Sequence, residues 1–261
     1  MRLSIALQNY RQGTPLVFCL TNHVVTNFTA NALLASGAAP AMTNLPGEAG
    51  PFAAVASAVL VNLGTPSTEQ LTAMEEAVQG ANAARTPWVL DPVAAGALGV
   101  RTEFARRIVA QRPALIRGNA SEILALAGMQ SAGRGVDSQD AVETAIAAGR
   151  ELAQKYGSVV AISGQADAII SADRTVLVRS NGIGLTRITG GGCSLGAVCA
   201  GMLAVVDDPF DAAVAAHAFY GAAAEKALEN SSGPGSFQPA FLDALAAVEP
   251  EDLDAVDCEK L

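Results

Sequence analysis

Leu16-Val17-Phe18-Cys19-Leu20-Thr21-Asn22-His23-Val24-Val25-Thr26-Asn27-Phe28-Thr29-Ala30-Asn31-Ala32-Leu33-Leu34-Ala35-Ser36 opens on five apolar residues in a row and closes on a helical period. An unbroken apolar run of that length suits a strand covered on both faces, and the stretch after it suits a helix packed back on the sheet. The same couple recurs outward along the chain. Strands are expected at Ala58–Asn62, Trp88–Leu90, Ala114–Arg117 and Val159–Ser163, with helices at Thr68–Asn82, Glu103–Gln111 and Ser138–Tyr156. Alternation of this kind predicts an α/β fold, a mostly parallel central sheet with helices on both faces. Ala168–Ser171 and Thr175–Arg179 flank Ala172–Asp173–Arg174 and predict a β-hairpin at the sheet edge. Beyond Cys193 the chain reads as wholly helical, over Ser194–Val206, Pro209–Glu229 and Phe237–Val248. No repeat, charge block or Pro/Ser-rich linker divides it, so residues 1–261 are expected to form one domain.

Composition narrows the class. Hydrophobic residues make up 51% and charged ones only 16%, the balance of a compact globular chain. Aromatics are 5% beside abundant Ala and 25 Gly, so the core is expected to join small side chains in close contact. The low charge hints at surface buried against other subunits. A net charge of -9 repels nucleic acid and anionic lipid, so neither is an expected partner. No apolar run approaches the roughly 18 residues that span a bilayer, and Met1–Pro15 lacks the apolar stretch of a signal peptide. The expected compartment is the cytoplasm. Its four cysteines fit, since Cys19, Cys193, Cys199 and Cys258 show no CxxC or metal-ligand spacing.

The residues able to do chemistry stand just past the strand ends. Asn22 follows the first strand and Asn62-Leu63-Gly64 the next, then come Asp91, Arg117-Gly118-Asn119 and Ser163-Gly164. Ligands of open parallel sheets bind beyond the carboxyl ends of the strands, so these positions converge on one crevice. Taken singly, Asn22 reads equally well as a cap for the helix after it.

Thr186-Arg187-Ile188-Thr189-Gly190-Gly191-Gly192-Cys193-Ser194-Leu195-Gly196 is the most informative segment for chemistry. Three glycines leave backbone amides unshielded and lead into an apolar helix, whose N-terminus is a ready anion site. Such a site can offset charge on a moving phosphoryl group. A plain Gly-rich turn closing the hairpin onto the helix is the alternative. Cys193 is expected to have its thiol pKa depressed by the helix dipole, which makes it a base for a substrate hydroxyl, or a nucleophile. Gly192-Cys193-Ser194-Leu195-Gly196 also matches a G-x-S-x-G nucleophile elbow, with Asp207, Asp208 and Asp211 ahead of His217. That hydrolase reading requires a strand leading directly into Ser194, where three glycines stand instead.

Arg117-Gly118-Asn119-Ala120-Ser121-Glu122 supplies a cation for phosphate, then Asn119 and Glu122 one helical turn apart. With Asp91 before Pro92, that pair can hold a hydrated magnesium ion. Asn119 with Glu122 three residues on is equally a capping box, and both readings can hold at once. No Walker A run and no protein-kinase signature set is present.

Together these stretches resemble the hydroxyethylthiazole kinase family. The resemblance rests on Thr21 to Asn31, Pro40-Ala41-Met42, Asn62-Leu63-Gly64-Thr65, Val89-Leu90-Asp91-Pro92-Val93, Ile116 to Glu122, Gly135-Val136-Asp137-Ser138 and the glycine segment, in family order. It implies a ribokinase-like three-layer sandwich and transfer of phosphate from ATP, with Mg2+, to the primary hydroxyl of 4-methyl-5-(2-hydroxyethyl)thiazole in thiamin salvage. It also implies a homotrimer with substrate sites near subunit boundaries. By matching position, Met42 and the Gly190 backbone contact the thiazole, and Asn22 lies near its pocket. Arg117 and Ser163 contact ATP, while Asp91, Glu122 and Asn119 organise magnesium through water. Gly190, Gly191 and Gly192 form the anion hole, and Cys193 is the catalytic residue where most ribokinase-like enzymes carry an aspartate. Two positions depart from the family: Gly191 replaces a threonine, and Ser163 replaces one while keeping the hydroxyl. Asn44 to Pro51 is richer in Gly and Pro than the helical stretch usual there, which reads as a looser lid beside Met42. The alternatives are a related ribokinase-like kinase, a nicotinamide-nucleotide hydrate repair enzyme, or a nucleotide-binding module without turnover.

Overall fold

The computed structural model describes residues 2–129 and 139–261. Gly135 to Ser138, and with them the expected first residue of the fourth long helix, lie outside the described residues. Among the described residues nine strands form one sheet: β1 (Leu16–Leu20), β2 (Ala39–Ala41), β3 (Ala58–Asn62), β4 (Trp88–Asp91), β5 (Leu115–Asn119), β6 (Val159–Ser163), β7 (Ala166–Ile170), β8 (Thr175–Arg179) and β9 (Asp257–Lys260). Their order is β2-β1-β3-β4-β5-β6-β7-β8-β9, parallel from β2 through β6 and antiparallel from there on.

Successive side chains of a strand point to opposite faces, and here the two faces build two cores. Val17, Cys19, Leu60, Val89, Leu115 and Ala161 pack one way. That face is covered by α1 (Leu3–Gly13), α2 (Thr26–Ser36), α8 (Gly191–Leu203), α9 (Pro209–Glu229) and α10 (Pro234–Ala247). Phe18, Leu20, Val59, Val61, Leu90, Ile116 and Val160 pack the other way. There they meet α3 (Ala49–Val55), α4 (Thr68–Ala84), α5 (Gly99–Ile108), α6 (Ala120–Leu126) and α7 (Gln139–Tyr156). The result is helix, sheet, helix. Small residues set its tightness, as expected from composition. A Cβ on Gly196 would lie 3.1 Å from Leu60 Cδ1, and one on Gly201 would lie 2.5 Å from Tyr10 Cε2. So α8, apolar all round and buried along most of its length, sits directly on β3 and β4.

Three expectations need correction. The chain is not wholly helical after Cys193: the 3-10 segment Pro250–Ala255 leads into β9, which pairs antiparallel with β8. The hairpin β7–β8 is therefore not the sheet edge, since β9 lies outside it. Its charged Asp257-Cys258-Glu259-Lys260 carries no apolar alternation, and charge on an edge strand blocks unwanted pairing. Asn44 to Pro51 is not a loose lid throughout. Ala49, Gly50 and Pro51 form the first turn of α3, and the absent Cβ of Gly50 lets Glu76 O approach to 3.3 Å of that position.

Candidate active site

At the carboxyl ends of β1, β3, β4, β5 and β6 one polar chain runs across the sheet. Asn22 Nδ2 donates to Asn62 Oδ1 at 3.1 Å, and Asn62 Nδ2 donates to Asp91 Oδ2 at 2.8 Å. Arg117 Nη1 lies 3.8 Å from that same Asp91 oxygen, and Arg117 Nη2 donates to Ser163 Oγ at 2.7 Å. Parallel register explains the reach: Asn62 is level with Asp91, and Asn119 with Ser163. Gly64 is required by closeness, because a Cβ there would fall 2.4 Å from Asn22 Nδ2. Asn22 does not cap α2, which starts from Val25 without a side-chain cap.

The glycine segment hangs over this chain. Gly190, at φ +97°, is the N-cap of α8, and a Cβ on it would sit 2.8 Å from Phe28 Cδ1. Ser194 N donates to Gly190 O at 2.9 Å and makes the first intrahelical bond. The amides of Gly191, Gly192 and Cys193 thus precede the helical ladder, the usual condition of a helix start. Gly192 is exposed and lies against Arg117, whose Nη1 would be 3.1 Å from a Cβ. Cys193 Sγ is 3.7 Å from Asn22 Nδ2. Asn22, Asp91, Arg117, Ser163, Gly190, Gly191, Gly192 and Cys193 are therefore brought together. Met42 follows β2 directly and is half-buried against the core on the face of the sheet that carries α1, α2, α8, α9 and α10.

Glu122 and Asn119 form the capping box of α6: Asn119 Oδ1 accepts from Glu122 N at 3.0 Å and Glu122 Oε2 accepts from Asn119 N at 2.9 Å. Glu122 Oε1 accepts from Ala94 N at 2.9 Å, which ties the segment after β4 to α6.

Burial shapes the electrostatics. Asp91 is 1% exposed and its Oδ1 is buried with no partner among the described residues. Desolvation lifts its carboxyl to about 7, helped by Glu122 and opposed by Arg117 and the Asn62 hydrogen bond. The Cys193 thiol is also raised, by burial first and by Asp91 next, against the amides of Asn62 and Asn22 and the charge of Arg117. The dipole depression expected from sequence does not prevail, and Cys193 is a neutral thiol in this setting.

The nucleophile-elbow reading fails on geometry. Ser194 is fully buried, its Oγ 2.7 Å from Gly190 O and 2.6 Å from Tyr220 Oη. His217 Nδ1 pairs instead with Asp167 Oδ2 at 2.6 Å, and Asp167 Oδ1 accepts from Gly164 N at 3.0 Å. This pair braces the turn after Ser163. Asn62 was visible at its strand end without a role and His217 only as a triad candidate, whereas Asp167 and Tyr220 carried no local signal. His217 meets Asp167 across 50 residues, and Tyr220 meets Gly191 across 29.

Two cavities adjoin the polar chain. One, of about 740 Å³, lies between Arg117, Ser163, Asp167, Gly192 and His217. It continues past Ser163, Gly164 and Asn181 into a second of about 930 Å³ lined by Ile146, Ile162, Ala168 and Leu177.

A helix–sheet–helix sandwich with a nucleotide-sized crevice along its strand ends, roofed by a glycine-capped helix, defines a ribokinase-like kinase. A ribokinase-like superfamily protein from Enterococcus faecalis V583 shares this fold at TM-score 0.65, with 12% identity over 92% of this chain and 88% of that one. The finer comparison is direct. The model of the hydroxyethylthiazole kinase family matches residues 7–251, and the chain belongs to that family. A hydroxyethylthiazole kinase of Clavibacter sepedonicus is 56% identical over 245 residues, covering 94% of this chain and 89% of that protein. The structure of a hydroxyethylthiazole kinase protein from Pyrococcus horikoshii OT3 superposes at TM-score 0.91 with 33% identity, over 99% and 98% of the two chains.

Proposed function

We propose that this chain, as one domain spanning 1–261, transfers the γ-phosphoryl group of ATP to the primary hydroxyl of 4-methyl-5-(2-hydroxyethyl)thiazole. The observation that carries the reading is the continuous chain Asn22–Asn62–Asp91–Arg117–Ser163 beneath the glycine start of α8, where Gly192 is exposed. Arg117 and Ser163 hold the polyphosphate, and the half-apolar cavity beside Ile146 and Leu177 takes the base and ribose. The thiazole lies on the opposite side, against the Gly190 backbone and Met42. Positioning supplies most of the acceleration in a loose phosphoryl transfer. Cys193 Sγ, oriented by Asn22, accepts the hydrogen bond of the attacking hydroxyl and positions it, and the hydroxyl proton passes late to an oxygen of the transferred phosphoryl group. The amides of Gly191 and Gly192 and the Arg117 guanidinium offset the charge that develops on the moving group.

Asp91 and Glu122, with Asn119 alongside, fit a hydrated Mg2+. Asp91 Oδ1 is a buried oxygen without a partner, while both Glu122 oxygens already accept backbone amides and suit contact through water. When bound, the ion neutralises phosphate charge. Among the described residues no group of three or more acidic, histidine or cysteine side chains converges, which suits an ion held mainly by water and substrate. We extend the proposal to a cytoplasmic homotrimer. Free thiols at Cys19, Cys193, Cys199 and Cys258 support the compartment, and exposed Val24, Leu34, Leu45 and Val55 around β2 support the assembly.

The test is ADP release with Mg2+, ATP and the hydroxyethylthiazole, run beside hydroxymethylpyrimidine and pyridoxal. Turnover confined to the thiazole is expected. Binding of ATP with no turnover of any alcohol would overturn the reading in favour of a nucleotide-binding module.

A further inference from the structure

The glycine turn that opens α8 has no side chain of its own to fix it. Gly191 is buried, and a Cβ there would lie 2.5 Å from Leu185 O, so none fits in this conformation. The turn is held from its carbonyl side instead. Tyr220, on α9 and 1% exposed, donates from its hydroxyl to Gly191 O at 2.7 Å. Ser194 Oγ lies 2.6 Å from Tyr220 Oη, a contact in which either hydroxyl can donate, so the two share their hydrogens with the glycine carbonyls. Ser194 has a second acceptor within reach in Gly190 O, at 2.7 Å. Burial raises the Tyr220 phenol further, which keeps it a neutral donor. Its ring is fixed by Phe241, edge-on at 4.8 Å between centroids, and Phe241 continues to Phe28, the ring beneath Gly190.

We infer that Tyr220, with Ser194 behind it, is a positioning residue for phosphoryl transfer: it locks the Gly191–Gly192 peptide so that the Gly192 amide faces the crevice. A trans peptide unit holds its C=O and N–H on opposite sides. Pinning Gly191 O toward α9 therefore turns Gly192 N–H away from α9, toward the exposed side where Arg117 lies. A donor fixed before reaction costs no reorganisation at the transition state. The inference rests on the proposed kinase reading and deepens it.

Tyr220→Phe keeps the ring and removes only the hydroxyl. In the full-length protein, kcat should fall about tenfold, a fraction of the loss on deleting such a donor outright. KM for ATP and for the alcohol should stay within about twofold, the pattern of an interaction strengthened in the transition state. Binding of magnesium ADP with aluminium fluoride, a probe of the planar transferring group, should weaken about tenfold while ADP alone is unchanged. Ser194→Ala should act in the same direction, and the double variant should be no worse than Tyr220→Phe, because the two act as a unit. If wild-type protein gains nothing from aluminium fluoride over ADP alone, the anion-hole reading itself fails and this inference with it. If wild type gains and Tyr220→Phe keeps the full gain, only the positioning role is overturned. An equal loss of ADP affinity and melting temperature, with no separate loss of the fluoride gain, would make Tyr220 merely structural and also overturn it.

Discussion

Single residues in this crevice act through burial rather than intrinsic reactivity. Cys193 sits at a helix start, which ought to favour a thiolate, but desolvation first and Asp91 next raise its pKa against the amides of Asn62 and Asn22 and the charge of Arg117. A neutral thiol suffices where the nucleophile need not be deprotonated early. Cys193→Ala is expected to lower kcat about tenfold while leaving ATP affinity intact, below the range of a full general base; loss of ATP binding in that variant would sink the assignment. Cys193→Asp is expected to retain or raise activity. Asp91 yields a prediction with a definite sign. Its folded pKa of about 7 lies above the ordinary 3.8, so between those values the folded state binds more protons than the unfolded one. Stability from this group is therefore full below about 4, falls as pH rises and is lost above about 7, by on the order of a few kcal/mol. In metal-free buffer, the melting temperature of Asp91→Asn relative to wild type should thus rise between pH 5 and pH 8. A difference that is flat or falling with pH would refute the burial account.

At the scale of elements, two helices meet through glycine. In α4 a Cβ on Gly80 would fall 2.1 Å from Gly50 O in α3, a backbone atom that cannot step aside. Helix propensity alone makes Gly80→Ala stabilising by about 1 kcal/mol, whereas overpacking costs about 1–3 kcal/mol. The clash should win. Thermal denaturation should show a lower melting temperature by about 2–6 °C for a chain of this size. This contact also shows why parts of the fold were hard to read. Buried parallel strands such as Leu16–Leu20 and Val159–Ser163 announce themselves as apolar runs, and Thr26–Ser36 and Pro209–Glu229 were legible to the residue. Ala39-Pro40-Ala41 and Asp257–Lys260 are edge strands whose partners lie elsewhere, and neither alternates. In α3, Gly50 and Pro51 look like loop residues, and only the approach of α4 gives them a packing role. The crevice was legible where it follows strand ends, since Asn22, Asp91, Arg117 and Ser163 each close an apolar run. Tyr220 was not. Its single polar atom matters because α9 passes beneath a turn 29 residues away, and nothing around it in sequence says so.

At the scale of the whole molecule, the proposed homotrimer would make its contact on the side bearing β2. Among the described residues β2 pairs only with β1, and Val24, Leu34, Leu45 and Val55 are 64%, 60%, 56% and 72% exposed on the elements flanking it. The same side carries Met42 and the end of α2 that faces Gly190, where the thiazole is proposed to lie. A heterologous contact between this face and a different face of a neighbouring copy closes into a ring when the rotation is right, and three copies make such a ring. A surface charge of -9 per chain opposes the association, so the apolar face must outweigh repulsion that salt weakens. Sedimentation should then report a trimer that persists or tightens as salt rises. Replacing Leu34 and Val55 together by glutamate should give a monomer. Because the proposed alcohol side adjoins that face and the two cavities proposed for the nucleotide do not, the monomer should bind ATP normally while its KM for the thiazole alcohol rises about tenfold or more, the loss of roughly one buried side chain. A monomeric wild type, or a monomeric variant with an unchanged KM for the alcohol, would separate the substrate pocket from the assembly.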